Sequence, residues 1–159
     1  HGLTTGEGRV ITGVYHTSFT VSDLDRSLAF YRDVLGLKVV VQQEKAGDYI
    51  EQVVAYPNAH LKIALLKAEG SDHVLELIEY VHPKGHAIDV STPNPGSAHL
   101  CFRVDDLQRT YEALVAKGVR FKSPPVRITS GVNEGGQAVY LLDPDGITLE
   151  LFQPPARPS

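Results

Sequence analysis

Two histidines and two glutamates stand out because each occurs in a setting that the chain repeats. His16 lies in Tyr15-His16-Thr17-Ser18-Phe19-Thr20-Val21-Ser22-Asp23-Leu24-Asp25-Arg26, and His99 in Ala98-His99-Leu100-Cys101-Phe102-Arg103-Val104-Asp105-Asp106-Leu107-Gln108-Arg109. At a constant offset of 83 residues, His16 to His99, the His, Phe, Val, Asp, Leu and Arg positions coincide. Glu76 lies in Leu75-Glu76-Leu77 and Glu150 in Leu149-Glu150-Leu151, an offset of 74, so the first copy carries the longer loops. Imidazole and carboxylate in this pairing suit a divalent metal or proton transfer. With one cysteine, Cys101, among 159 residues, an intramolecular disulfide and a thiolate-rich zinc site are excluded. The 7 histidines and 19 acidic residues are the donors a metal site would use.

The elements that must position these groups follow from apolar periodicity. Around His16, Thr17, Phe19 and Val21 alternate with His16, Ser18 and Thr20; around His99, Leu100, Phe102 and Val104 alternate with His99, Cys101 and Arg103. Period-two alternation is a half-buried strand, with the histidine on the face opposite the apolar set. A helix is predicted next in each copy. Ser22 or Asp23 caps the first, with a Leu24, Leu28, Phe30, Tyr31, Val34, Leu35 stripe stopped at Gly36. Asp105 or Asp106 caps the second, with Leu107, Tyr111, Leu114 and Val115 before Gly118. Further strands are expected at 37–43, 61–66, 74–80, 119–122, 138–142 and 147–152, the last two joined by the tight turn Asp143-Pro144-Asp145-Gly146. Asp48 to Glu51 has capping-box spacing, so 48–55 reads as a short inserted helix sharing Tyr49, Ile50, Val53 and Val54 on one face.

The fold expected is α+β: two βαβββ modules forming a cupped, mostly antiparallel sheet with helices on the outer face. Residues 1–10 read as a flexible tail with a tag remnant at His1 and Gly2, 11–82 as the first module, and 83–97 as a proline-bearing linker. Residues 98–153 read as the second module and 154–159 as a tail. The glycine-rich 129–137 reads as a loop able to cover a pocket.

Strand parity then selects the chemistry. Leu75 and Leu77, like Leu149 and Leu151, must face the helices, which turns Glu76 and Glu150 to the inner face with His16 and His99. A lone Glu between leucines is ordinarily an outward strand residue, and a lone His is ordinarily a hydrogen-bonded one. Four such residues turned inward are another matter, because a buried carboxylate costs several kcal/mol unless it is paired or metal-bound. His60, His73, His82 and His86 have no counterparts in the other copy and read as surface or loop residues; Glu79 has the wrong parity. Cys101, inward and two residues from His99, is a candidate pocket residue; no partner spacing supports a nucleophile or a soft ligand there, and it reads as a small buried thiol filling space. A net charge of −4 argues against nucleic acid, and no apolar run approaches the roughly 20 residues of a membrane span. A cytoplasmic location is expected.

On these residues the chain resembles the vicinal oxygen chelate superfamily, which includes glyoxalase I, methylmalonyl-CoA epimerase, extradiol dioxygenases and bleomycin-resistance proteins. The resemblance runs from Ile11 to Gln153 and rests on His16, on the Asp23 to Gly36 stretch and on Asp143-Pro144-Asp145-Gly146-Ile147-Thr148-Leu149-Glu150-Leu151. It implies one divalent metal ion held by His16, Glu76, His99 and Glu150, with nickel, cobalt or zinc first and iron or manganese as alternatives. It also implies a small-molecule substrate and a homodimer, the modules pairing within one chain or between two. The dioxygenases use two His and one carboxylate, whereas here Glu76 fills the remaining corner, as in glyoxalase I; resistance-type binding proteins usually lack the ligands. The resemblance therefore implies a metal-dependent lyase or isomerase, abstracting a proton next to a carbonyl through a metal-stabilised enediolate. Glu150 is the base by resemblance to glyoxalase I, with Glu76 the second catalytic carboxylate. An iron(II) ring-cleaving dioxygenase and a resistance-type binder are the alternatives. Bacterial-type glyoxalase I carries an Arg four residues after its first ligand His and an Asn four after its first Glu, where this chain has Thr20 and Tyr80. Arg103, inward by parity, is the candidate receptor for an anionic substrate group. Tyr80 and Tyr49 are candidate pocket walls.

Overall fold

A computed structural model describes residues 8–157, and the tag-like His1 and Gly2 lie outside the described residues. The element order is β1 (His16–Thr20), α1 (Leu24–Leu28, continued by a wider π-helical turn, Ala29–Val34), β2 (Lys38–Ala46), α2 (Asp48–Val54), β3 (His60–Lys67), β4 (Val74–His82), β5 (Leu100–Arg103), α3 (Leu107–Ala116), β6 (Arg120–Phe121), β7 (Val126–Arg127), β8 (Gln137–Leu142) and β9 (Thr148–Gln153). This is an α+β fold with two sheets. The first has the order β1-β4-β3-β2; the second has β5-β9-β8-β6, with β7 also on β8. Among the described residues only β1–β4 and β5–β9 pair in parallel; the other pairings are antiparallel. Among the described residues no helix is long and apolar enough to cross a membrane.

The repeat has a structural counterpart in the registers. Ser18 stands opposite Glu76 in the first sheet, and Cys101 stands opposite Glu150 in the second. Leu75 and Leu77 are buried, as are Leu149 and Leu151, so the glutamates between them take the other face. Helix entry is repeated too. The backbone N–H of Leu24 donates to Glu79 Oε1 at 2.7 Å, and that of Leu107 donates to Gln153 Oε1 at 2.8 Å. Each acceptor sits three residues beyond a site glutamate, so its opposite parity serves to receive the helix start. Asp106 also caps α3 by accepting from the Arg109 N–H. Gly36 and Gly118, at φ of 81° and 84°, end the two helical segments in the left-handed region.

Two features differ from the periodicity. The chain divides into two compact units, His1–Leu24 with Leu37–Pro83, and Asp25–Gly36 with Lys84–Ser159. The first helical segment thus groups with the second sheet rather than its own. Its anchors are one buried contact and one exposed: the Tyr31 hydroxyl donates to Asp143 Oδ2 at 2.9 Å in the core, and Arg26 pairs with Asp145 at 2.9 Å at the surface. Burial, then the Asp143 charge, pushes the Tyr31 phenol far above its usual range. An apolar stripe requires burial but does not name the sheet that provides it. In α2, Ile50 and Val54 turn to the sheet, while Tyr49 and Val53 are exposed. Glu51 does not close a capping box there; its carboxylate accepts the Asn58 N–H beyond the helix end. The glycine-rich loop before β8 is pinned by backbone bonds, including Ile128 N–H to Gly136 at 2.8 Å and Gly135 N–H to Ile128 at 2.9 Å.

Candidate metal centre

Each unit by itself brings one histidine to one glutamate. In the first, His16 at the start of β1 places Nε2 3.2 Å from Glu76 Oε1 on β4. In the second, His99, just before β5, places Nε2 3.1 Å from Glu150 Oε1 on β9. The carboxylates are the more enclosed partners, 15% and 20% exposed against 34% and 37% for the imidazoles. Two ligands at right angles around an ion with bonds of roughly 2.1 Å are about 3.0 Å apart. Each pair is therefore already spaced as two neighbouring ligands, and its nitrogen and oxygen donors suit a borderline divalent ion. Among the described residues no group of three or more His, Cys, Asp or Glu side chains is placed to hold a metal ion.

The surroundings of the two pairs differ. Glu150 is flanked across the sheet by Cys101 on β5 and Tyr140 on β8; the equivalent row around Glu76 holds Ser18 and Leu65. The Tyr140 hydroxyl lies 3.4 Å from His99 Nε2, with the two rings 5.0 Å apart. Burial, then the charge of Glu150 and a hydrogen bond to it, pushes the Cys101 thiol up to about 11. Spacing alone did not single out Tyr140. Counting back from the Asp143 to Gly146 turn would have placed it opposite Glu150, because a tight hairpin fixes register.

The remaining candidates fall on both units. Arg103, exposed at the end of β5, has no ion-pair partner among the described residues. Tyr80 shares the Glu76 face of β4, and burial, followed by the neighbouring Tyr56 and Glu76, raises its phenol. Tyr49 stands on α2 with Lys45 Nζ 5.3 Å from its ring centre, and Tyr56, unmarked by any spacing, takes the position beside Tyr80. His60 bonds Glu44 at 2.8 Å, and His73 bonds Thr17 at 3.0 Å.

A repeated module with a His–Glu pair in each copy defines a class, and comparison with known families agrees. The model of the Glyoxalase/Bleomycin resistance protein/Dioxygenase superfamily matches residues 13–151, and the chain belongs to that superfamily. It is 35% identical over 156 residues, 94% of this chain and 85% of the relative, to a 2-epi-5-epi-valiolone epimerase of an Actinomyces species. It is 30% identical over 142 residues, 88% and 91% of the two chains, to the lactoylglutathione lyase of Haemophilus influenzae. In fold it is similar to a glyoxalase family protein from Bacillus cereus, with a TM-score of 0.81 at 18% identity, covering 96% of this chain and all of that one.

Proposed function

We propose that the chain is a divalent-metal-dependent lyase or isomerase that moves a proton next to a carbonyl, with His16, Glu76, His99 and Glu150 as the metal ligands. The observation that carries this reading is the repeated His–Glu pairing at 3.1 and 3.2 Å on equivalent strands of the two sheets. Relatives named as an epimerase and a lyase support the same chemistry. The ion, when bound, supplies Lewis-acid stabilisation for the negative charge that develops as the adjacent C–H is deprotonated.

Glu150 is the proposed base. A carboxylate fully engaged by a cation is a weak base, so one of its oxygens must be turned to the substrate while the Cys101 thiol, hydrogen-bonded to it, holds its orientation. Glu76 is the second carboxylate and keeps the partner position beside His16. Arg103, unpaired and at the end of β5, receives an anionic group of the substrate bidentately. Nickel, cobalt or zinc fit the nitrogen and oxygen donors, and the working form is a homodimer, checked by light scattering on a sizing column.

Elemental analysis of the purified protein followed by cobalt titration tests the ligand set. Glu76→Ala is expected to weaken cobalt binding by at least about 10–100-fold, the range seen even for groups that only orient a ligand. Wild-type affinity in that variant sinks the ligand assignment. Solvent-deuterium exchange into a hydroxyketone, followed by NMR, tests the base. If Glu150→Gln retains both metal and full exchange, Glu150 is not the base.

A further inference from the structure

The two His–Glu pairs are copies of one arrangement, so the neighbours that differ between them are informative. On β9, Glu150 stands between Cys101 of β5 and Tyr140 of β8; on β4, Glu76 stands between Ser18 of β1 and Leu65 of β3. Cys101 and Ser18 are both small donors, but a phenol stands where the first copy has an alkyl group. Val139 and Leu141, on either side of Tyr140, are buried, which turns Tyr140 to the face of Glu150. That face is open: Cys101 is exposed on it rather than buried as its spacing predicts, and His99 is partly exposed.

The Tyr140 hydroxyl lies 3.4 Å from His99 Nε2, and Glu150 Oε1 lies 3.1 Å from the same nitrogen. One nitrogen of a neutral imidazole either donates or accepts, so Nε2 serves Glu150 or Tyr140 and not both. The phenol contact is the longer of the two and is long for a hydroxyl donor. With Nε2 engaged by an ion, its lone pair is no longer open to the phenol. The carboxylate directly across the ladder is then the acceptor at hand, because residues so paired have Cβ atoms about 4.5–5.5 Å apart.

We propose that Tyr140 is a positioning residue for Glu150: with His99 on the ion, its hydroxyl donates to the Glu150 carboxylate and supports the oxygen turned to the substrate. The inference rests on the proton-transfer reading above. A carboxylate oxygen released from a cation keeps its negative charge in a partly enclosed setting, and a phenol donor offsets the cost of holding it there. Leu65 gives Glu76 no such donor. Of two carboxylates in like settings, Glu150 is the one equipped to act as base, and Glu76 is the one equipped only to hold the ion.

Carbon NMR of zinc-loaded protein labelled at the glutamate side-chain carboxyls reads the acceptor directly, with Glu150→Gln and Glu76→Gln assigning the two lines. Tyr140→Phe keeps the ring and removes only the hydroxyl. It is expected to move the Glu150 line and to leave the Glu76 line in place. In solvent-deuterium exchange into hydroxyacetone, kcat is expected to fall about tenfold or more, the worth of a hydrogen bond to a charged group. KM and zinc affinity are expected to stay near wild type. A donor also lowers carboxylate basicity, so a kcat at or above wild type in the variant overturns the positioning role. An unmoved Glu150 line overturns it too, as does a raised KM with kcat unchanged, which would assign the hydroxyl to the substrate. If zinc moves neither carboxylate line in the wild type, the metal reading falls and this proposal falls with it. If zinc binds but hydroxyacetone exchanges no deuterium, that counts against the proton-transfer reading, and the two carboxylate lines decide Tyr140 alone.

Discussion

Tyr31→Phe deletes a single hydroxyl from the contact that fastens the first helical segment to the second sheet. Tyr31 and Asp143 are both buried, and the hydroxyl is the donor to Asp143 Oδ2 at 2.9 Å; Oδ1 has its own donors, the N–H groups of Asp145 and Ile147, at 2.9 and 2.8 Å. A hydrogen bond to a charged group contributes about 1.5–3 kcal/mol, and phenylalanine leaves Oδ2 buried without that donor. Protonation of Asp143 limits the loss, because burial already holds its carboxyl above the usual value against the hydrogen bonds that lower it. We take ~2 kcal/mol, which for a chain of this length lowers Tm by roughly 4–8 °C in a circular dichroism melt. The sign of the pH dependence follows from the raised carboxyl. The folded state holds the Asp143 proton more tightly than the unfolded chain. That contribution is fully present below the unfolded value of 3.8 and is lost as pH rises through the folded one. The stability of the wild type relative to Asp143→Asn should therefore fall as pH rises through that window, and in the Tyr31→Phe background the fall should come at higher pH. A Tm loss of less than about 1 °C, or a dependence of the opposite sign, would refute the reasoning.

At Gly136, an added Cβ would meet the Gln153 carbonyl oxygen at 2.7 Å and that of Asn133 at 3.1 Å. Gly136→Ala should cost about 1–3 kcal/mol by chemical denaturation, whereas Gly13→Ala, with open space around it, should be close to neutral. With its thiol pushed up to about 11, Cys101 in metal-free protein should react with iodoacetamide at pH 8 about a hundredfold more slowly than an ordinary cysteine. Glu150→Gln should accelerate that reaction; an ordinary rate in the wild type would show that the carboxylate does not govern the thiol. Arg103→Ala should weaken binding of an anionic substrate by about tenfold or more while a neutral analogue is unaffected, as inhibition constants would report. Equal effects on both ligands would remove the anion role.

Strand parity made the His16–Glu76 and His99–Glu150 pairings legible, because a period of two leaves only two faces and the flanking leucines claim one. The helix entries were written in the same repeat, with Glu79 and Gln153 each three residues past a site glutamate. Parity marks such residues as pointing away from the site without saying what they meet. Three things were not legible. The grouping of Asp25–Gly36 with the second sheet depends on Tyr31 finding Asp143, a contact that helical periodicity does not encode. The outward turn of Tyr49 and Val53 arises because the sheet under α2 receives only Ile50 and Val54. Tyr56 carries no spacing signal, since its place beside Tyr80 is made by backbone in the left-handed region at Ala55 and Asn58, neither of them glycine.

The Tyr31–Asp143 contact also has a consequence in time. The two residues are 112 positions apart, so during synthesis the first helical segment emerges long before the carboxylate that anchors it. At about 5–20 residues per second, Tyr31, Leu28 and their neighbours wait for roughly 6–22 s with an apolar face uncovered on the nascent chain. The first sheet, whose strands all lie before residue 83, can pair during that interval, while the second unit stays incomplete until its last hairpin is made.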